Sequence, residues 1–181
     1  TGGAVCIMLM LSGQNVWVAM AGATAAGMAA GLATGILHTF MGIPAILAGI
    51  LTQLGLYSIN LKTMGKANQA INVDKYDLLV SLRFIRKVPF YKNTILIVAI
   101  AIILLIVVLY WFFGTELGCS LRATGCNDKM ARAQGINTDF NRVLGLMISN
   151  GLVALSGAML CQYQGFADIN MGRGAIVIGL A

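Results

Sequence analysis

The sequence predicts an all-α, polytopic transmembrane helical bundle, and three observations carry that prediction. Of the 181 residues, 59% are hydrophobic and only 10% charged; a soluble domain carries about 25% charged residues. The few charges are also confined to short stretches. No Asp, Glu, Lys or Arg precedes Lys62, and two further uncharged runs extend over Asn93–Gly114 and Val143–Ala167. A charge at the bilayer centre costs about 2.5–3.5 kcal/mol on insertion scales, so three long runs that avoid it are a physical signature of hydrocarbon. Finally, small residues recur at helical spacing in the first run, as expected where helices must approach closely without a hydrophobic force between them.

Four complete spans and two truncated ones follow. The opening apolar run, Ala4–Leu11, lacks a basic flank and is too short to cross, since about 20 apolar residues are needed for ~30 Å of hydrocarbon. The closing run, Ala175–Ala181, is shorter still. Both are read as parts of helices belonging to a longer protein. The first full span covers about Val16–Leu37, with Ala19, Ala23, Gly27, Gly31 and Gly35 on one face. That face could line a permeation path, meet a second protomer, or simply pack within the chain. A short turn over His38–Gly42 leads to Ile43-Pro44, and Pro44 is expected at the first helical position, where its missing N–H is harmless.

The second span runs to about Leu61 and carries Gln53 and Asn60. Polar side chains at membrane depth must face protein or water, so both are candidates for a translocation path or for interhelical hydrogen bonds. Lys62–Lys92 is a polar excursion with seven basic and two acidic residues. Within it, Asp74–Val88 is expected to form an interfacial helix or a solvated loop. Asn93–Phe113 is the cleanest span, about 31 Å long, closed by the interfacial aromatics Tyr110 and Trp111. The last complete span, Val143 to about Gln162, contains Asn150, a third candidate for the path, and is followed by a polar turn over Tyr163–Arg173. Alternation puts the His38 turn and the Thr115–Arg142 segment on one side, and the Lys62–Lys92 and Tyr163–Arg173 segments on the other.

Thr115–Arg142 reads TELGCSLRATGCNDKMARAQGINTDFNR. Asn127 or Asp128 can cap a short helix whose body is Lys129–Gln134. Gly135 supplies its left-handed stop, and Ile136 folds back. Arg132 is expected to project from it. A rigid capped helix between two spans suits a mechanical contact with a partner, although a plain capped loop would look the same in sequence.

The stretch LGCSLRATGCNDKMARAQGINTDFNRVLGLMISNGLVALSGAML resembles the coupling segment of ATP-binding-cassette importer permeases of the branched-chain amino acid and ribose permease family. The family pattern is close to LRAxGxNxxxARxxGI, and here it falls on Leu121, Arg122, Ala123, Gly125, Asn127, Ala131, Arg132, Gly135 and Ile136. His38–Gly65 is also similar, particularly to a subgroup linked to aromatic amino acid uptake. Cys126 departs from the small or polar residue expected there. The resemblance implies a permease domain over residues 1–181 with a cytoplasmic coupling segment at about 115–142 and an extracytoplasmic excursion at about 62–92. It further implies that cytoplasmic ATPase subunits dock on Asn127–Gly135, that an external solute-binding protein docks opposite, and that two permease protomers work as a pair in a bacterial inner membrane. Basic-residue counting favours the opposite orientation, but a thirty-residue excursion with an interfacial helix is a poor case for that rule.

No chemistry is expected on this chain, and no cofactor. Its four cysteines, Cys6, Cys119, Cys126 and Cys161, make no metal or disulfide framework by spacing and read as small apolar fillers. The net charge of +6 suits an anionic lipid surface and not a nucleic acid, for which no basic module is visible. The rival readings are an ion-coupled secondary transporter, which needs ionisable groups inside the spans, a membrane-embedded enzyme, which needs a nucleophile–base or metal cluster, and a non-transporting membrane scaffold.

Overall fold

The computed structural model describes residues 1–70, 94–170 and 172, and its architecture is helical with one two-stranded ribbon. Among the described residues seven helices run in chain order: α1 (Gly2–Leu11), α2 (Val16–Thr39), α3 (Ala45–Met64), α4 (Thr94–Gly114), α5 (Glu116–Cys126), α6 (Asp128–Ala133) and α7 (Thr138–Gln164). Two short strands, β1 (Asn68–Ala70) and β2 (Phe166–Asp168), pair antiparallel. By length and composition α2, α3 and α7 can each cross a membrane, and α4 with α5 forms a fourth candidate broken by an 80° bend. The expected helix over Asp74–Val88 and the closing run Ala175–Ala181 lie outside the described residues.

The bundle is organised around the contact of α2 with α7. Small residues on α2 sit directly on the backbone of α7, because a Cβ at Gly27 would lie 2.7 Å from the Asn150 carbonyl oxygen, one at Gly31 2.8 Å from Met147 Cα, and one at Gly35 3.0 Å from Val143 Cα. The partners descend in number as the glycines ascend, so the two helices are antiparallel. The face carrying Gly27, Gly31 and Gly35 is thus occupied by packing within the chain. Ten-residue α1 lies against both helices, with Cys6, Ile7 and Met10 buried beside Ala19, Ala23, Ala158 and Cys161. Its ten residues rise about 15 Å.

Helix α3 joins α2 through the Thr34 hydroxyl, which donates to Thr52 Oγ1 at 3.0 Å. The His38 ring pairs with the Ile43 carbonyl at 2.8 Å and closes the turn between them. That turn is tighter than the sequence suggests: α2 continues through His38 to Thr39, and Pro44 occupies the cap position, one residue before the helix proper. Outward faces of α3 and α4 are apolar, with Ile46, Leu54, Ile103, Leu104 and Val107 exposed. Tyr110 and Trp111 are exposed at the end of α4, the arrangement expected of interfacial anchors.

The ribbon is absent from the sequence-based expectation. Its two strands come from the Lys62–Lys92 and Tyr163–Arg173 segments, with Gln69 opposite Ala167. Their pairing puts those two segments at the same end of the bundle, as alternation requires. A left-handed glycine ends the helix before each strand, Gly65 at φ +66° and Gly165 at φ +75°.

Candidate functional site: a polar lock at one end and a cavity at the other

The Thr115–Arg142 segment is more helical than its composition predicts. Helix α5 occupies its first half, where no helix was expected, and α7 begins at Thr138, five residues before the apolar run at Val143. Three side-chain caps explain the elements. Thr115 Oγ1 accepts from Gly118 N at 3.3 Å, Asn127 Oδ1 from Met130 N at 3.1 Å, and Asn137 Oδ1 from Phe140 N at 3.1 Å. Each satisfies one of the donors that a helix start leaves without a partner. Of the two residues that could cap α6, Asn127 does so, and Asp128 opens the helix.

The end of α6 has the geometry read from the sequence. Gly135 has φ +81°, its N–H donates to the Arg132 carbonyl at 3.0 Å, and Ile136 N–H donates to the Ala131 carbonyl at 3.1 Å. Those paired bonds define a Schellman stop. Beyond it α6 is fastened to α7. Arg132 is exposed, as expected of a projecting side chain, but its guanidinium is engaged with α7: its Nη2 donates to Thr138 Oγ1 at 2.8 Å and to Asp139 Oδ1 at 3.0 Å. Arg142 reaches Asp128 Oδ2 at 2.7 Å and Asp139 Oδ1 at 3.8 Å. Thr138 is only 1% exposed, so this network has a buried centre and a wet rim. Proximity sets the pairing: the left-handed turn brings Thr138 and Asp139 within reach of Arg132, and a guanidinium takes the nearest carboxylate.

Other predicted site residues separate cleanly. Ala131 is buried, whereas Arg122, Gly125 and Asn127 are exposed and Ile136 is half-buried. Sequence reasoning missed Met130, which is 62% exposed on α6. It also missed Asn141, which is 4% exposed. Asn141 Nδ2 donates to Thr124 Oγ1 at 2.9 Å and to Ser120 Oγ at 3.3 Å, tying α7 to α5. A polar residue on the buried side of a capped helix start was the available signal.

At the opposite end, near the ribbon, lies a cavity of about 310 Å³ whose lining includes Gly27, Asn60, Asn150, Ser156, Gly157 and Asp168. Small-molecule sites begin at about this size. Asn60 is 8% exposed. Asn150 Nδ2 donates to the Leu146 carbonyl at 2.9 Å. Gln53 does not line this cavity, because it lies on the exposed face of α3. Among the described residues no group of His, Cys, Asp and Glu could hold a metal ion.

Residues 1–181 match the family described as branched-chain amino acid transport system / permease component. The chain belongs to that family. It is 38% identical to a tyrosine transport system permease protein of Clostridioides difficile, over 99% of this chain and 58% of that protein. An uncharacterized protein of Rickettsia prowazekii is 39% identical over 76% of this chain and 46% of its own length. The autoinducer 2 import system permease protein of Yersinia pestis is 34% identical over 82% of this chain and 40% of its own length. The chain thus spans about half the length of the curated relatives it matches. No solved structure matches it significantly. The family is one of transport permease components, not enzymes, and its apolar helices make this a multi-pass membrane protein.

Proposed function

We propose that the full protein is the permease subunit of an ATP-driven importer in a bacterial inner membrane. Separate ATPase subunits grip α6 on the cytoplasmic side, and a solute-binding protein delivers to the ribbon end. Two permease protomers form the translocating unit. The observation that carries this reading is the short helix α6, capped by Asn127, stopped by Gly135 and locked to the start of a membrane-crossing helix. A stiff element of this kind transmits a push without absorbing it, and ATP-driven closure of the partner would bias the spans between two packings.

The predicted contact residues divide by task. Arg122 and Gly125, joined by the unpredicted Met130, present the docking surface, while Asn127, Ala131, Arg132, Gly135 and Ile136 hold its shape. Asn60 and Asn150 line the solute path. The solute we favour is an amino acid, because a 38% identical relative is named for tyrosine transport.

Co-purification of the ATPase with the full-length permease tests the reading. Met130→Glu puts a charge on the exposed apolar side chain of α6 and should weaken ATPase retention about tenfold, with normal membrane insertion. Undiminished retention would remove α6 as the docking element. Uptake that stops when an uncoupler is added, while cellular ATP is held constant, would favour an ion-coupled transporter instead.

A further inference from the structure

We infer that Asn141 is a positioning residue of transport: through its bonds to Thr124 and Ser120 it makes α5, and with it α4, follow α7. The helices around it are attached in different ways. Helix α6 is bound to α7 by Arg132 and Arg142, both on partly exposed ion pairs. Helix α5 has no ion pair to α7 among the described residues. It touches α7 directly along a short stretch, where an apolar contact and a polar tie can be named. Leu121 sits over Gly145, where a Cβ would lie 3.4 Å from Leu121 Cδ1. Beside it Asn141 donates to both hydroxyls of α5, at 2.9 and 3.3 Å.

The tie is buried and closed on itself. Asn141 is 4% and Thr124 8% exposed. Thr124 Oγ1 donates in turn to the Ser120 carbonyl at 2.8 Å, which leaves its lone pair free for the Asn141 amide. A carboxamide in this setting fixes both the distance and the rotation of α5, since its two bonds land one helical turn apart. The weaker attachment lies elsewhere. Helix α4 meets the bend at Thr115 and has α5 as its main neighbour among the described residues. A displacement of α7 therefore reaches α4 by way of Asn141. Without that tie, α5 can slide on the small surface around Gly145, and it follows α7 only loosely, through its junction with α6 at Asn127.

The tie itself is independent of the importer reading, whereas its consequence for transport rests on it, so the experiment has two arms. In the first, full-length permease with Cys126→Ser carries spin labels on Cys119 of α5 and on Leu144→Cys of α7. A single narrow distance distribution is expected, and Asn141→Ala or Thr124→Val should broaden it. The Thr124 variant keeps the side chain's shape and serves if the Asn141 variant does not fold. Unchanged widths overturn the inference. In the second arm, solute moved per ATP hydrolysed is measured in vesicles with the ATPase bound. Both variants should lower that ratio about tenfold, a size typical of coupling between linked sites, at unaltered ATPase retention. The double variant should be no worse than Asn141→Ala alone, because the two side chains form one bond. Broadened distances with an unchanged ratio would deny Asn141 any role in transport. Failure of the unmutated permease to retain its ATPase would overturn the importer reading, and the widths would still decide whether Asn141 holds α5.

Discussion

The seam between α2 and α7 and the lock joining α5, α6 and α7 are held together by opposite means. The seam is built from absent side chains: Gly27, Gly31 and Gly35 let two backbones touch, and dispersion acts over a long, dry contact. The lock is built from polar side chains, with Arg132, Asp139, Arg142, Asp128, Asn141 and Thr124 each facing a partner. Their locations explain the contrast. Inside hydrocarbon an extra polar group is costly and close packing is the available attraction. At the membrane edge charged groups are tolerated, and hydrogen bonds can set orientation. The seam therefore fixes which helices are neighbours, and the lock fixes how a push on one of them is shared.

Substitutions on either side put this contrast at risk. The largest effect is expected at the seam, where Gly31→Leu must force the α2 and α7 backbones away from each other. We expect a loss of about 3 kcal/mol, read as a large fall in the thermal midpoint of detergent-purified protein, and no rescue by salt changes. A smaller effect belongs to Gly135→Ala, which forces a Cβ into the left-handed region at a cost of about 1–2 kcal/mol. It should loosen α6 selectively, seen as faster amide exchange at Ala131–Ile136 with the seam unaltered. Thr34→Val removes the hydroxyl bond between α2 and α3 and should cost only ~0.6 kcal/mol, the mean for such bonds in membranes. The smallest effect on stability is expected from the Arg132–Asp139 ion pair, read as the coupling in a double-mutant cycle so that the bonds of Arg132 to the buried Thr138 hydroxyl cancel. The pair is 59% and 46% exposed on the two sides, so after solvent screening it contributes at most a few tenths of a kcal/mol. That coupling should vanish in high salt, while the Gly31 variant stays equally damaged. A salt-sensitive seam or a salt-insensitive ion pair would reverse our assignment of forces.

Much of the site was legible in the residues. Gly135 is the stop because few residues other than glycine accept φ +81°, and Asn127 is the cap because its short side chain reaches back to Met130 N. Other features were hidden. Asn137, Thr138, Asp139, Asn141 and Arg142 look like a loop when hydropathy alone is read, yet four of them lie in the first turns of α7. Their polarity serves α5 and α6 and says nothing against a helix. Gln53 and Asn60 looked equivalent on one span, but Asn60 lines the cavity and Gln53 does not.

Each segment declares in its own residues whatever it settles with its own solvent. Long uncharged runs mark the crossing helices, since the free energy of entering hydrocarbon is a sum over the segment's residues. Caps and stops are likewise local, because both partners lie within a few residues. Folding in three dimensions fixed the 80° bend after Gly114, the bond from Arg132 to Thr138, the pairing of β1 with β2, and the bond from Asn141 to Thr124. Each of these needs a partner brought close by folding, or an angle between helices that no single segment specifies.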